Sequence, residues 1–454
     1  MKMNTQINIS HKQLFKMALL GLLAALLLIA FTGKSASAQD RTLTLQDAIK
    51  LGLQNSKTLK YSQAKIDEAV SEYNQAKDKA LPTGSVSATF DRAQIPYNDL
   101  TFGKESIDLP KSANAYLGIA SINETIYGGN KMKYARESTD LLTQVARLDA
   151  DKDKDQITYD VISSYYNLYK VLQSIKVVNQ NITSVDAQIH QSQRFFDQGL
   201  VTKNDVLRFE LQKANIQLNG IDLENNRKVI NYSLDVLLGL PETTRLNIEQ
   251  LSIDTGKAVA PLTTYIDTAM ANRQEIKQLG LRSRVAETNI KNIRADVLPN
   301  LSAGVSGYYV DANGNPIPKI GNFITPVTIG ATLSWNFGAL WTNKNKVTQA
   351  KIQRDEVVIN QGITVDNLKN EVDQNYQNYV TALDKIQLLQ TSIAQAGENN
   401  NILESKYKSN IASATDRADA QTLLYQAQIN LELAKADAGL AYYTLLKSTG
   451  TLNK

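Results

Sequence analysis

The chain has 454 residues, of which 43% are hydrophobic and 21% charged, an ordinary composition for a folded chain that excludes wholesale disorder. A formal net charge of +4 is small for this length and does not suggest nucleic-acid binding, which needs a concentrated basic patch, so no nucleic-acid partner is expected. There is no cysteine, which excludes disulfides, thiolate metal sites, cysteine nucleophiles and an acylated N-terminal cysteine.

The two histidines are His11 and His190, too few for a histidine-rich metal centre. A Ser-His-Asp arrangement would have to use His190, and nothing around it resembles a nucleophile turn. No metal, cofactor or enzymatic activity is expected. Lys2, Lys12 and Lys16 precede an apolar run from Met17 to Phe31, and Ala36-Ser37-Ala38 follows with the small-x-small spacing that signal peptidase reads. Residues 1–38 therefore read as a secretion signal cut after Ala38; an uncleaved anchor is the alternative. The run is short for a helical span of about 20 residues. No later stretch is apolar enough to span, so a mature chain that enters a membrane must do so with strands.

Beyond the leader the chain reads as two copies of one unit. An offset of 217 aligns Asn55 with Asn272, Lys60 with Lys277, Ala69 with Ala286 and Leu81-Pro82 with Leu298-Pro299. An offset of 211 aligns Val161 with Val372, Tyr165 with Tyr376, Leu172 with Leu383, Phe196 with Tyr407, Asp205 with Asp416, Tyr232 with Tyr443 and Gly239 with Gly450. The change of offset falls in the loop-like stretches 91–112 and 311–325, where length differences concentrate. The expected organisation is a first repeat over 39–241, a linker over 242–262 and a second repeat over 263–454. Each repeat reads helix, strand, loop, strand, long helix, turn, helix.

The first helix of each copy is expected from about Thr44 to before Pro82 and from about Tyr265 to Val297, each ended by Leu-Pro. Strands follow. Val86, Ala88 and Phe90 alternate over 85–90; the phase of the strand near Tyr116 to Tyr127 switches around Ile119 to Ile122; Leu301, Ala303 and Val305 alternate over 301–310. The sharpest alternation runs from Val327 to Phe337, with Val327, Ile329, Ala331, Leu333, Trp335 and Phe337 on one face and Thr328, Gly330, Thr332, Ser334 and Asn336 on the other. About 11 residues is the length of a tilted strand that crosses a bilayer. Ile329, Leu333, Trp335 and Phe337 are the candidate lipid-facing residues, with Trp335, Phe337 and Trp341 clustered where an aromatic girdle would sit. A soluble sandwich would also alternate, but the polar faces carry Ser, Thr, Gly and Asn with few charges, which suits a water-filled lumen.

Two helices are unusually long. Residues 131–198 contain neither proline nor glycine and would span about 100 Å at 1.5 Å per residue; 343–409 is about as long. Val161, Tyr165, Leu168, Leu172 and Ile175 step by four and three, as do Leu207, Leu211, Ala214, Leu218 and Ile221 on the return helix, and Val372, Tyr376, Tyr379, Leu383 and Ile386 in the second copy. Spacing near 3.5 means coiled-coil packing against neighbours. The charge run from Asp149 to Asp155 interrupts the stripe and reads as a solvated face.

Leader, repeat, two strands per copy and very long helices together resemble the TolC-like outer-membrane efflux proteins. The turns from Phe196 to Asp205 and from Tyr407 to Asp416 carry the resemblance most specifically: both look like the family's aromatic-x-x-Gly-Leu/Thr-x-x-x-x-Asp periplasmic tip, at one offset. The resemblance implies a mainly helical fold, with four strands per subunit closing a 12-strand membrane β-barrel in a homotrimer and a coiled-coil tunnel in the periplasm. It implies a passive exit duct in the outer membrane, in contact with outer-membrane lipid, working with a periplasmic adaptor and an inner-membrane transporter. It also implies site residues: Asp205, Asp416, Asp419 and Tyr407 at the gate, and Gly199, Leu200, Val201, Asn410, Ile411 and Ala412 at the adaptor-docking tips. Carboxylate rings would favour cations, and like charges would raise some carboxyl pKa values; the alternative role of Asp205 and Asp416 is to complement a helix N-terminus. Ala412 stands where the family's best-known members place an arginine, so an arginine lock is not expected. The competing reading is a secreted structural coiled coil that binds surfaces and transports nothing.

Overall fold

The computed structural model describes residues 40–94, 99–108, 112–249, 259–313 and 325–453. The leader and its cleavage site lie outside these residues, as do parts of both strand-to-strand loops and of the linker. In chain order the elements are β1 (Asp40–Leu43), α1 (Leu45–Asn55), α2 (Lys57–Asp78), β2 (Thr83–Gln94), β3 (Asp99–Phe102), β4 (Glu105–Asp108), β5 (Ser112–Tyr127), α3 (Lys131–Asp197) and α4 (Lys203–Leu238). There follow β6 (Arg245–Ile248), α5 (Leu262–Asn272), α6 (Gln274–Arg294), a single 3-10 turn (Ala295–Val297), β7 (Asn300–Asn313), β8 (Val327–Ser334), α7 (Ala339–Lys408) and α8 (Ala414–Ser448). The described residues fall into two compact units: 40–55, 163–249 and 395–433 form one, and 56–162, 259–394 and 434–453 the other.

The long helices are continuous, at 67 residues for α3 and 70 for α7. The first helix of each copy is not. Each is broken after an asparagine, at Asn55 and at Asn272. Ser56 leaves helical geometry at ψ 120° and its hydroxyl accepts the Leu59 N–H, starting α2 afresh; Arg273 leaves helical geometry before α6 at ψ 129°, with no side-chain cap. Neither break carries a proline or glycine, so nothing local announces it. The cause is tertiary. In the first unit Asn55 Nδ2 donates to the Leu238 carbonyl at the end of α4 (2.7 Å), and Gly239 turns left-handed beside it. A Cβ on Gly239 would sit 2.8 Å from that of Asn55. In the second unit Arg273 donates to the Ser448 carbonyl at the end of α8 (3.2 Å) and pairs with Glu275 and Glu371, while Gly450 adopts φ +69° against the Asn272–Arg273 backbone. In each half, the helix break caps the last turn of the return helix.

The stretch read as a linker contributes β6, which pairs in parallel with β1 along Asp40–Leu43. Leu43 and Leu246 are buried there with Leu234 and Leu238, and the Tyr165 hydroxyl donates to the Leu43 carbonyl. Below this pair lies Asp235, fully buried. It accepts from Asn231 Nδ2 (2.7 Å), and Asn231 in turn holds the Leu246 N–H and the Thr244 carbonyl.

In the second unit the charge run on α3 is more than a solvated face. Asp153 accepts from Ser62 of α2 (2.7 Å), Asp149 from Gln278 of α6 (2.7 Å), and Asp155 from Asn453 (2.6 Å). Three carboxylates one turn or less apart thus anchor three separate segments to the long helix, and the sequence signal of an interrupted apolar stripe marks a docking belt.

Burial pushes the Asp235 carboxyl up to about 6, against the opposing hydrogen bond from Asn231. A raised acid binds its proton more tightly when folded, so its contribution to stability falls as pH climbs from the ordinary carboxylate range through about 6. Asp235→Asn should therefore raise the melting temperature at about pH 8 and change it little at about pH 4. Equal shifts at both values would refute a buried, charge-averse Asp235.

Candidate functional site

Four strands form one antiparallel sheet in the order β2-β5-β7-β8. The strands are neighbours in chain order, so the sheet is a meander, and the middle pair joins the two sequence copies. The register places Val86 opposite Ala120, Ala88 opposite Gly118 and Phe90 opposite Tyr116; it continues with Ile122 opposite Val305 opposite Ile329, and Leu301 opposite Leu333. These residues share one face, because side chains alternate and directly paired residues point the same way. The other face carries Ser85, Ser121 and Ser306 in one row, and Ser302 beside Thr332 in another. Ile119 and Leu117 fall on this polar face, which accounts for the phase switch seen in the sequence; a bulge between Thr125 and Tyr127 then returns Tyr127 to the apolar face. Every residue of β8 is exposed on both faces. Charged residues enter this face's register towards its two ends: Glu124 opposite Ala303 on the helix side, and Arg92 opposite Asn114 and Asp311 opposite Tyr116 on the loop side.

The strand β8 is shorter than expected. It ends at Ser334, so of the four candidate lipid-facing residues Ile329 and Leu333 lie on the strand while Trp335 and Phe337 lie beyond it. The Trp335 indole donates to the Val297 carbonyl (3.0 Å), and the backbone from Asn336 is already folded into the turn that opens α7. Alternation reports which way side chains point and says nothing of whether the backbone still pairs. Trp335, Phe337 and Trp341 stack edge to face in succession and are all exposed. Both β2 and β7 begin, and both β5 and β8 end, at the junctions with helices; the loops all leave the opposite end of the sheet.

The two helix-to-helix turns share one construction. Gly199 and Asn410 adopt φ +70° and +56°. Leu200 N–H returns to the Phe195 carbonyl and Ile411 N–H to the Lys406 carbonyl, each at 2.8 Å, closing the helix end. The next helix is opened by a carboxylate: Asp205 Oδ2 accepts from the Thr202 N–H (2.8 Å) and hydroxyl (2.7 Å), and Asp416 Oδ2 from the Ser413 N–H (3.1 Å) and hydroxyl (2.7 Å). The Ser413 hydroxyl and N–H hold the Asp416 carboxyl below the usual range within the single chain. Asp419, one turn on, is exposed. Leu200 and Ile411 project into solvent, whereas Val201 and Ala412 are half-buried.

Tyr407 is buried between Phe195 and Phe209, both with ring centroids at 5.8 Å, and packs with Ala414, Ala418 and Ala412. Burial pushes its phenol up, with the Ser192 hydroxyl opposing. Ala412, half-buried, packs against this cluster. A cation is nevertheless present close by, at a position the sequence reading did not single out. Arg417 is 3% exposed; it pairs with Glu404 (3.1 Å) and donates to Asn400 and, more weakly, to Gln421. Gln421 donates to Asn181 of α3 (2.9 Å) and accepts from Gln188 (3.3 Å), tying α7, α8 and α3 through buried polar groups. An arginine thirteen residues after a glutamate carries no periodic signature, which is why it was missed.

The stripe Leu207, Leu211, Ala214, Leu218 and Ile221 on α4 has coiled-coil spacing and is exposed along its length, while over the same stretch α4 buries Val206, Phe209 and Ile216 within its own chain. The corresponding stripe on α3, with Val161, Tyr165 and Leu168, is buried.

A family model described as outer membrane efflux protein matches residues 48–240 and 265–451. Outer membrane protein TolC of Escherichia coli (strain K12) is 20% identical over 454 residues, covering 95% of this chain and 87% of its own. Toxin and drug export protein A of Aggregatibacter actinomycetemcomitans is 21% identical over 417 residues, covering 89% of this chain and 87% of its own. The solved structure of the outer membrane protein VceC from Vibrio cholerae matches with a TM-score of 0.72 at 14% identity, over 89% of this chain and 96% of that one, a likeness of fold. The chain belongs to the outer membrane efflux protein family and is a TolC-like channel of the outer membrane.

Proposed function

We propose that three copies of this chain close a 12-strand barrel and that the trimer is the passive exit duct of a tripartite efflux or secretion system, with the helices in the periplasm. The observation that carries this reading is the two-faced meander sheet with all its helices at one end. Its apolar face suits hydrocarbon and its Ser/Thr/Asn face suits a water-filled lumen. Its outer edges, β2 and β8, run antiparallel to one another, so successive copies can pair edge to edge without reversing direction. Hydrocarbon admits no unpaired edge, and four strands are too few to close alone. The exposed seam on α4 supports the same assembly, because a coiled-coil stripe with no partner in its own chain needs one from another. A secreted structural coiled coil would leave the sheet's apolar face without a suitable solvent.

In this reading the exposed tips Leu200 and Ile411 dock a periplasmic adaptor, which links the duct to an inner-membrane transporter. Asp416 and Asp419, with Asp205, ring the narrow end and favour cations. Asp416 retains its second carboxylate oxygen beyond the cap, so capping and charge presentation coexist. Tyr407 acts on the gate by packing, since it is enclosed within its own chain's tip.

Two outcomes are expected. Leu333→Arg should cost about 2–4 kcal/mol of barrel stability if the residue lies near the bilayer midplane, whereas Thr332→Arg should assemble normally and alter conductance; equal tolerance at both positions would contradict a membrane barrel. Changing Asp416 and Asp419 together to alanine should weaken cation preference in planar bilayers while leaving assembly intact. Unchanged selectivity would leave helix capping as the whole role of Asp416.

A further inference from the structure

We propose that the helix ends just beneath the sheet form a basic collar that binds the phosphate headgroups of anionic phospholipid in the periplasmic leaflet of the outer membrane. The inference rests on the barrel reading above, which sets the sheet in the bilayer, and concerns the level at which the sheet meets the helices. Four helix ends converge there. The end of α2 carries Lys77 and Lys79, and the start of α3 carries Lys131, Lys133 and Arg136. The end of α6 carries Lys291 and Arg294, and the start of α7 carries Lys344 and Lys346. All nine are exposed. Within the same twelve residues of each strand end there are four carboxylates, Glu72, Asp78, Glu137 and Asp296, and Asp296 is taken up by Lys131 (2.5 Å).

This excess is local. Lys2, Lys12, Lys16 and Lys34 of the leader account for the whole surplus of 49 cations over 45 carboxylates, so residues 39–454 are neutral. In the sequence the strand-to-strand stretches 91–112 and 311–325 carry no such excess: they hold Asp91, Asp99, Glu105, Asp108 and Asp311 against Arg92, Lys104, Lys111 and Lys319. Among the described residues the positive excess is thus a feature of the helix ends that meet the sheet. A cationic segment at an anionic leaflet gains roughly 1 kcal/mol per lysine or arginine and loses it within a Debye length of the surface.

The direction in which the collar faces follows from α7. Lys344 lies three residues after Trp341 and four after Leu340, hence on the helix face those exposed apolar groups occupy. Trp341 stacks with Phe337, and Phe337 with Trp335, the interfacial aromatic cluster. Aromatic rings at the hydrocarbon boundary with cations one turn deeper into water match the order in which a leaflet presents acyl chain and phosphate.

The test is to reconstitute the full chain with phosphatidylethanolamine, with and without phosphatidylglycerol, and to measure by mass spectrometry the lipid that stays with the protein after extraction. Phosphatidylglycerol should be enriched about fivefold or more over its input share, an amount equal to roughly one interfacial charge contact. The enrichment should fall towards the input share in K133Q/R136Q/K344Q/K346Q and persist in K57Q/K60Q/K277Q/K385Q, which removes the same charge from exposed positions away from the sheet. No enrichment, or an equal fall in both variants, would overturn the collar. So would retained enrichment in the first variant together with a loss of anion conductance, which would place these cations on the lumen. Failure of the wild-type chain to enter bilayers would instead overturn the barrel reading, and the collar with it.

Discussion

A β-sheet edge is a row of unpaired N–H and C=O groups, and in hydrocarbon each such group costs several kcal/mol. The second unit presents two such edges, on β2 and β8, flanking a sheet whose one face is apolar and whose other face is hydroxyl-lined. Most features of the chain answer this constraint. The two middle strands come from different sequence copies, so the sheet already uses one pairing between copies, and in the proposed trimer a further chain supplies the next by the same geometry. The helices all leave one end of the sheet, which keeps polar, charge-rich segments out of the bilayer. In the proposed assembly the exposed stripe on α4 supplies a second contact between chains.

The helical parts are held by a different principle. Each half joins its helix break to the last turn of its own return helix, through Asn55 and Leu238 in one and Arg273 and Ser448 in the other. The chemistry differs while the location corresponds: a neutral amide serves one half and a half-buried guanidinium with two glutamates the other. The belt of Asp149, Asp153 and Asp155 fixes further segments to α3 by hydrogen bonds to neutral partners. The tip is closed with polar groups as well, since Arg417, Gln421, Gln188 and Asn181 lie where an ordinary coiled coil would place aliphatic side chains. Such a layer rewards one alignment of the helices, because a slip of one residue would leave buried polar groups without partners.

What could be read from the sequence was what periodicity encodes. The alternation at Val327 to Leu333, the uninterrupted run of α3 and the paired turns at Gly199 and Asn410 depend on residues near one another in the chain. The extent of β8 was misjudged because Trp335 and Phe337 continue the alternation after the backbone has turned. The helix breaks and the β1–β6 pair escaped because each is set by a partner far along the chain, Leu238 for Asn55 and Arg245–Ile248 for Asp40–Leu43, and Arg417 escaped because its partners Asn400 and Glu404 lie across a turn at no periodic spacing. At the tips the sequence located the turn residues and left two roles open for the aspartates; the geometry assigns capping to Asp205 and Asp416, and charge presentation rests on assembly.

The central claim is that β8 of one copy pairs with β2 of the next. The absence of native cysteine makes a direct measurement available. Within one chain β5 and β7 lie between these strands, a separation of roughly 14 Å at about 4.8 Å per strand, beyond the reach of a disulfide. One cysteine is placed on β2, at Val86, Ala88 or Phe90, and one on β8, at Ile329, Ala331 or Leu333, and the membrane-inserted protein is oxidised. The account predicts that at least one pairing gives covalent species of two and three chains and none larger, while the single-cysteine chains at those positions give no three-chain species. Exclusively monomeric protein across every pairing, from chains that enter the membrane, would contradict it.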